Sequence, residues 1–165
     1  MNRPTIDEYY LGIAKAVSAR AECVRRQIGA VIVKDDAIIG TGFNGAPPGE
    51  RSCLDGACPR ARKDVVAGIG YAETGCVAIH AEVNAIIRAG RERCLGATLY
   101  VTDTCCVLCA PIVRAAGITR VVTPHNFGLP IKTDARVPQG VAVVCENPNP
   151  NPHLPHDGCP AKHFH

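Results

Sequence analysis

Residues 97–122 read ATLYVTDTCCVLCAPIVRAAGITRVV, and the order of patterns within this stretch decides the fold. ATLYVT is a short, apolar, β-rich run that reads as a buried strand. CVLCAPIVRAAG reads as a helix stopping at Gly117, and ITRVVT as a second strand. Upstream, HAEVNAIIRAG predicts a helix that begins near His80 and closes at Gly90. Before it, IGAVIVKDDAIIGTGF predicts two strands around Lys34-Asp35-Asp36, a hairpin signal. Thr5 and Glu8 have the spacing of a capping box, and Ile6, Tyr10, Ile13, Ala14 and Val17 recur with helical periodicity behind it. VAVVC, residues 141–145, supplies a candidate last strand. The expected fold is α/β, in the order α-β-β-α-β-α-β with a fifth strand to follow: a single mixed sheet of about five strands covered by helices.

Length and composition bound the rest. A chain of 165 residues, 47% apolar and 20% charged, predicts one packed domain, here residues 1–146, followed by a Pro- and His-rich tail over 147–165. The segment from Asn44 to Gly75 is rich in Gly, Pro and Cys, with a short helix expected near Pro59 to Val66. An irregular segment this long is usually functional or tied down by something. The net charge of +3 does not argue for nucleic acid and suits a small anionic ligand equally well. No apolar run approaches the ~20 residues of a membrane span. MNRPTIDEYYLG lacks a secretory h-region, so a cytoplasmic chain is expected, in which ten cysteines point to metal rather than disulfides.

A ligand set can be assembled from two helix starts. Cys106 and Cys109 are three residues apart at the head of one predicted helix, so both sulfurs can face the same side. The positive end of the helix dipole favours their thiolates. His80 opens the other helix and supplies nitrogen. Three protein ligands with one position open describe a catalytic zinc, whereas a structural zinc closes its shell with a fourth. Glu82 is then left to handle protons. Cys105 neighbours Cys106 and points elsewhere on a helix, so it is read as a passenger. His-x-Glu with a later Cys-x-x-Cys is the signature of zinc nucleobase deaminases.

With CVRRQIGAVIVKDDAIIGTGFNGAPPG, HAEVNAII and GATLYVTDTCCVLCAPIVRAAGITRVV in view, the chain resembles the cytidine and deoxycytidylate deaminase superfamily, and most of all its bacterial and phage deoxycytidylate members. The resemblance covers most of residues 20–122 and implies a cytidine deaminase-like fold. It further implies one catalytic zinc on His80, Cys106 and Cys109, Glu82 as proton carrier, and conversion of dCMP to dUMP with release of ammonia. Backbone N–H groups near Ala81 and Cys106 are expected to orient the reacting groups, and Asn44 is implied to hold the sugar, with a plain Asn-Gly turn as the alternative. The family usually has proline where this chain has Cys105.

A nucleotide needs a phosphate site, for which Arg25, Arg26 and Arg60 are the candidates. Asn84, on the first turns of an apolar helix, either bonds the loop carrying Asn44 or is a satisfied structural amide. Cys23, Cys53, Cys58 and Cys76 admit two readings, four buried thiols or a second, structural zinc. Related deaminases place an additional zinc on cysteines matching Cys23 and Cys53. Cys94 and Cys145 read as core residues. A homo-oligomer is expected, with Phe164 able to reach a neighbouring active site. Two rival functions stay open: deamination of another base or nucleoside (a free nucleoside, modified cytosine, guanine or an antibiotic precursor), and a non-catalytic zinc or RNA-binding module. Against the second stand Glu82 and the scarcity of aromatic residues, four Tyr and three Phe.

Overall fold

The computed structural model describes residues 3–63, 70–124 and 126–130. Helix α1 (Ile6–Ser18) starts at the expected capping box: the Glu8 N–H donates to Thr5 Oγ1 at 3.3 Å, and the Thr5 N–H donates to Glu8 Oε2 at 2.7 Å. Strands β1 (Gly29–Lys34) and β2 (Ala37–Phe43) form the hairpin. Its two turn residues, Asp35 and Asp36, take positive φ values of 49° and 59°, as a two-residue turn matched to strand twist requires. Tyr10 Oη lies 2.8 Å from Asp36 Oδ1 and ties the turn to α1.

A 3-10 turn (Pro59–Arg62) stands where a short helix was expected. Then follow α2 (Ala81–Ala89), α3 (Arg91–Cys94), β3 (Thr98–Val101), α4 (Cys109–Ala115), β4 (Arg120–Thr123) and β5 (Asn126–Pro130). Among the described residues these strands form one sheet in the order β2-β1-β3-β4-β5. β3 and β4 are parallel, joined over the sheet by α4, while the other neighbours are antiparallel, so the sheet is mixed. The expected strand at 141–145 lies outside the described residues. The strand β5 falls earlier, in a stretch that carried no strand signal.

Both faces of the sheet are covered, which is why β1 reads as an unbroken apolar run instead of an alternation. Ala30, Ile32, Leu99 and Val101 pack with Ala81, Ala85 and Ala89 of α2, Val113 of α4 and the buried Cys94. Val31, Val33, Tyr100 and Val122 face the other way, onto Tyr10 and Ala14 of α1.

The placement of α2 depends on a bare backbone in β2. A Cβ on Gly42 would stand 2.2 Å from Ala81 O and 2.4 Å from Ala85 N, so the helix sits directly on the strand. Gly42→Ala is therefore expected to destabilise the fold by about 3 kcal/mol, at the top of the overpacking range, because backbone rather than a flexible side chain must give way. A urea unfolding curve with an unchanged midpoint would contradict this.

Candidate active site

His80 is the N-cap residue of α2, in extended conformation, and its side chain makes no capping bond. The imidazole is thereby available to turn toward α4. Its Nδ1 lies 3.3 Å from Cys106 Sγ and 3.3 Å from Cys109 Sγ. Among the described residues this is the one group of three His, Cys, Asp or Glu ligand atoms lying within 4.8 Å of one another. One nitrogen and two sulfurs converging on a point fit a zinc ion with a fourth position left open.

Cys106 and Cys109 do not both lie within the helix, as their spacing suggested. The helix begins at Cys109, and the Cys106 carbonyl accepts from the N–H groups of Cys109 (3.1 Å) and Ala110 (3.0 Å) to close the turn that leads into it. The hydrogen bond with Cys109 draws the Cys106 thiol down to about 4, with the nearby imidazole in the same sense, while that same bond pushes Cys109 up. The bond with Cys106 also raises His80 above the ordinary imidazole value.

Glu82, the second residue of α2, is 4% exposed, and burial raises its carboxyl above the usual carboxylate range. A hydrogen bond from the Cys105 thiol offsets part of that rise. Cys105 lies outside the group of converging ligand atoms, with its Sγ 3.9 Å from Cys106 O.

The loop after β2 is bound to this centre from both sides. Gly45 and Ile79 exchange backbone hydrogen bonds of 3.1 and 2.8 Å, and Asn84 Nδ2 donates to Phe43 O at 2.9 Å. Asn84 thus ties α2 to the end of β2, where that loop begins. Asn44, 8% exposed, accepts from the Ile28 N–H and donates to Arg26 O, both at 2.8 Å. Each end of its amide keeps one further hydrogen-bonding valence.

Of the three arginines, Arg25 and Arg60 brace the long loop. Arg25 Nη1 donates to Lys63 O at 3.1 Å and to Arg60 O at 3.3 Å. Arg60 is 4% exposed, and its Nη1 donates to Gly70 O (2.9 Å) and Thr74 Oγ1 (2.6 Å). An irregular segment leaves carbonyls without ladder partners, and buried ones must find donors. Arg26 differs, with its side chain 49% exposed and paired with Asp103. It borders an open cleft of about 620 Å³ together with Lys15, Gln27 and Thr102.

Cys53, Cys58 and Cys76, from the segment between β2 and α2, come near Cys23 of the α1–β1 connection. Cys58 hydrogen-bonds with both Cys53 and Cys76, and Cys23 lies close enough to both for their charges to interact. Burial raises the Cys53 thiol to about 11. Their sulfurs are spread more widely than the atoms of the His80 group.

Residues 4–124 match the model of the cytidine and deoxycytidylate deaminase zinc-binding region. The chain belongs to this family. It is 48% identical over 129 residues to a deoxycytidylate deaminase of Mycobacterium phage D29, which covers 76% of this chain and 99% of the phage protein. A deoxycytidylate deaminase of Schizosaccharomyces pombe is 34% identical over 77% of this chain, and the match spans only 39% of the length of that relative. The crystal structure of a dCMP deaminase from cyanophage S-TIM5 in apo form superposes with a TM-score of 0.55 at 26% identity, covering 74% of this chain and 84% of the other. The same enzyme in complex with dCMP and dUMP gives 0.53 at 25% identity, covering 74% and 83%. The fold is the cytidine deaminase-like α/β sheet, the family is one of zinc-dependent deaminating enzymes, and the zinc belongs with the family member described here. No helix among the described residues is long and apolar enough to cross a membrane.

Proposed function

We propose that this chain hydrolyses dCMP to dUMP and ammonia, with His80, Cys106 and Cys109 as the zinc ligands and Glu82 as the proton carrier. The observation that carries the reading is the convergence of His80 Nδ1 and two sulfurs at 3.3 Å, with a buried carboxyl two residues after the histidine. The identity to a phage deoxycytidylate deaminase over nearly its whole length supports dCMP as the substrate.

Cytosine C4 is a weak electrophile and neutral water a weak nucleophile. A zinc ion held by the three ligands supplies the Lewis acidity that makes water reactive at neutral pH. Glu82 accepts a proton from the attacking water, passes it to ring N3, and then assists departure of ammonia from C4. A carboxyl whose affinity for protons is raised by burial suits this shuttle, because it must hold a proton between the two transfers. The Ala81 N–H, at the first residue of α2, has no intrahelical acceptor and orients the reacting groups, together with the N–H near Cys106. Asn44 holds the sugar with the valences that its backbone bonds leave over.

The phosphate contact is assigned to Arg26, whose side chain is half-exposed. A charge-assisted contact is worth about 1.5–3 kcal/mol, and a half-exposed side chain belongs at the low end. Arg26→Ala is expected to lower kcat/KM for dCMP ~10-fold and to leave deoxycytidine unchanged, since only the nucleotide has a phosphate to lose. Equal losses on both compounds would assign Arg26 a structural role, and equal wild-type rates on both would reject the nucleotide reading.

Cys23, Cys53, Cys58 and Cys76 hold a second, structural zinc, supported by the contacts among Cys53, Cys58 and Cys76 and by a long irregular segment that otherwise lacks a core. Metal analysis should then find two zinc ions per chain, falling to one in Cys53→Ser; a wild-type value of one would contradict the second site. The chain acts as a cytoplasmic homo-oligomer. Ile87, Val107, Leu108 and Ile112 support the oligomer by exposing large apolar side chains on α2 and around the start of α4.

A further inference from the structure

Tyr71 takes no part in the chemistry described above, yet it stands against a metal-binding side chain. Its ring centroid lies 4.5 Å from that of the His80 imidazole, with the planes inclined at 72°. The Arg60 guanidinium carbon lies 4.5 Å from the same Tyr71 centroid. Arg60 is buried, and the two groups its Nη1 bonds, Gly70 O and Thr74 Oγ1, flank Tyr71 in the chain. The guanidinium therefore grips the segment on either side of the ring as well as facing the ring itself. Aromatic pairs in this tilted geometry and a desolvated cation over a ring are each attractive beyond their buried area.

His80 needs such support. Its side chain makes no bond to its own helix, and among the described residues its Nε2 has no hydrogen-bond partner. Metal-binding histidines are ordinarily oriented by a bond from the nitrogen that does not bind metal. Here the orienting contact is an aromatic ring set edge-on to the imidazole, 4.5 Å between centroids. The imidazole must also aim Nδ1 at the point where Cys106 and Cys109 converge, so a rotated ring would lose the nitrogen ligand while keeping both sulfurs.

We propose that Tyr71, gripped by Arg60, is a positioning residue that orients the His80 imidazole for metal binding. This rests on the assignment of His80, Cys106 and Cys109 as zinc ligands.

The test is cobalt(II) titration of the metal-stripped full chain, followed by visible absorption, which reports both affinity and ligand geometry. Cys109→Ser identifies the bands of this centre by removing them. Tyr71→Leu is expected to weaken cobalt binding there ~10- to 100-fold, the usual cost of losing an orienting neighbour, and to shift the bands. Tyr71→Phe keeps the ring and should keep both affinity and spectrum. Arg60→Met should weaken binding in the same direction, and the Tyr71→Leu/Arg60→Met double variant should be no weaker than Tyr71→Leu alone, because the arginine acts through the tyrosine. If far-UV circular dichroism shows Tyr71→Leu unfolded, Tyr71→Met carries the same expectations. Wild-type affinity and bands in a folded Tyr71→Leu or Tyr71→Met chain would overturn the proposal, as would additive losses in the double variant. If Cys109→Ser leaves the wild-type bands intact, the ligand assignment itself fails and the role of Tyr71 falls with it.

Discussion

Glu82→Gln is expected to lower turnover of dCMP by at least ~10²-fold, or about 2.7 kcal/mol, while leaving the zinc content unchanged. The amide has nearly the volume of the carboxyl and fits the same 4% exposed position against α2. It also accepts the Cys105 hydrogen bond through its oxygen, so the surroundings need not move. What it lacks is the capacity to take up and release a proton within one catalytic cycle. Glu82 is outside the group of converging ligand atoms, which is why metal content and turnover should separate. Loss of zinc along with activity would make Glu82 a ligand or a structural support. Near-normal turnover would end its role as proton carrier.

Cys106→Ser and Cys109→Ser are expected to lose the catalytic zinc and to reduce turnover by ~10³-fold or more, because unactivated water, with a pKa near 16, offers almost no hydroxide at neutral pH. A serine hydroxyl does not ionise as a thiol does and is a poor substitute ligand for zinc. Cys105→Ser should retain both zinc and activity, since the hydroxyl still donates to Glu82. The contrast depends on register: Cys106 Sγ and Cys109 Sγ each stand 3.3 Å from His80 Nδ1, whereas the Cys105 thiol is outside that group. Metal analysis and dCMP turnover on the three serine variants decide it. Zinc lost from Cys105→Ser but kept in Cys106→Ser would reverse the assignment.

The sheet and the metal centre were legible in the sequence for related reasons. Period-2 and fully apolar runs mark strands because packing on one or both faces demands them, and β1 to β4 all lie within such runs. The metal group was legible because the Cys-x-x-Cys spacing and a histidine at a helix start are local geometry. The exact start of α4 was not, since the Cys106 carbonyl rather than any side chain closes its first turn. The bracing bonds of Arg25 and Arg60 were not legible, because their partners, Lys63 O and Gly70 O, are carbonyls of an irregular segment that no spacing rule reaches. Tyr71 was missed for the same reason: it belongs to no periodic pattern, and its contact with His80 exists only in three dimensions. β5 lies in a short stretch with a glycine and a terminal proline, where the pairing with β4 outweighs weak local preference.

The measurement that bears most directly on the central claim is the reaction itself. The zinc-loaded full chain is incubated with dCMP, and dUMP is followed by chromatography while ammonia is followed by a coupled assay. Equal amounts of dUMP and ammonia, formed at a rate that falls when a chelator strips the zinc and recovers when zinc is restored, are the predicted result. A folded, zinc-loaded chain that forms neither product from dCMP, or that releases ammonia from another base in its place, would contradict the account.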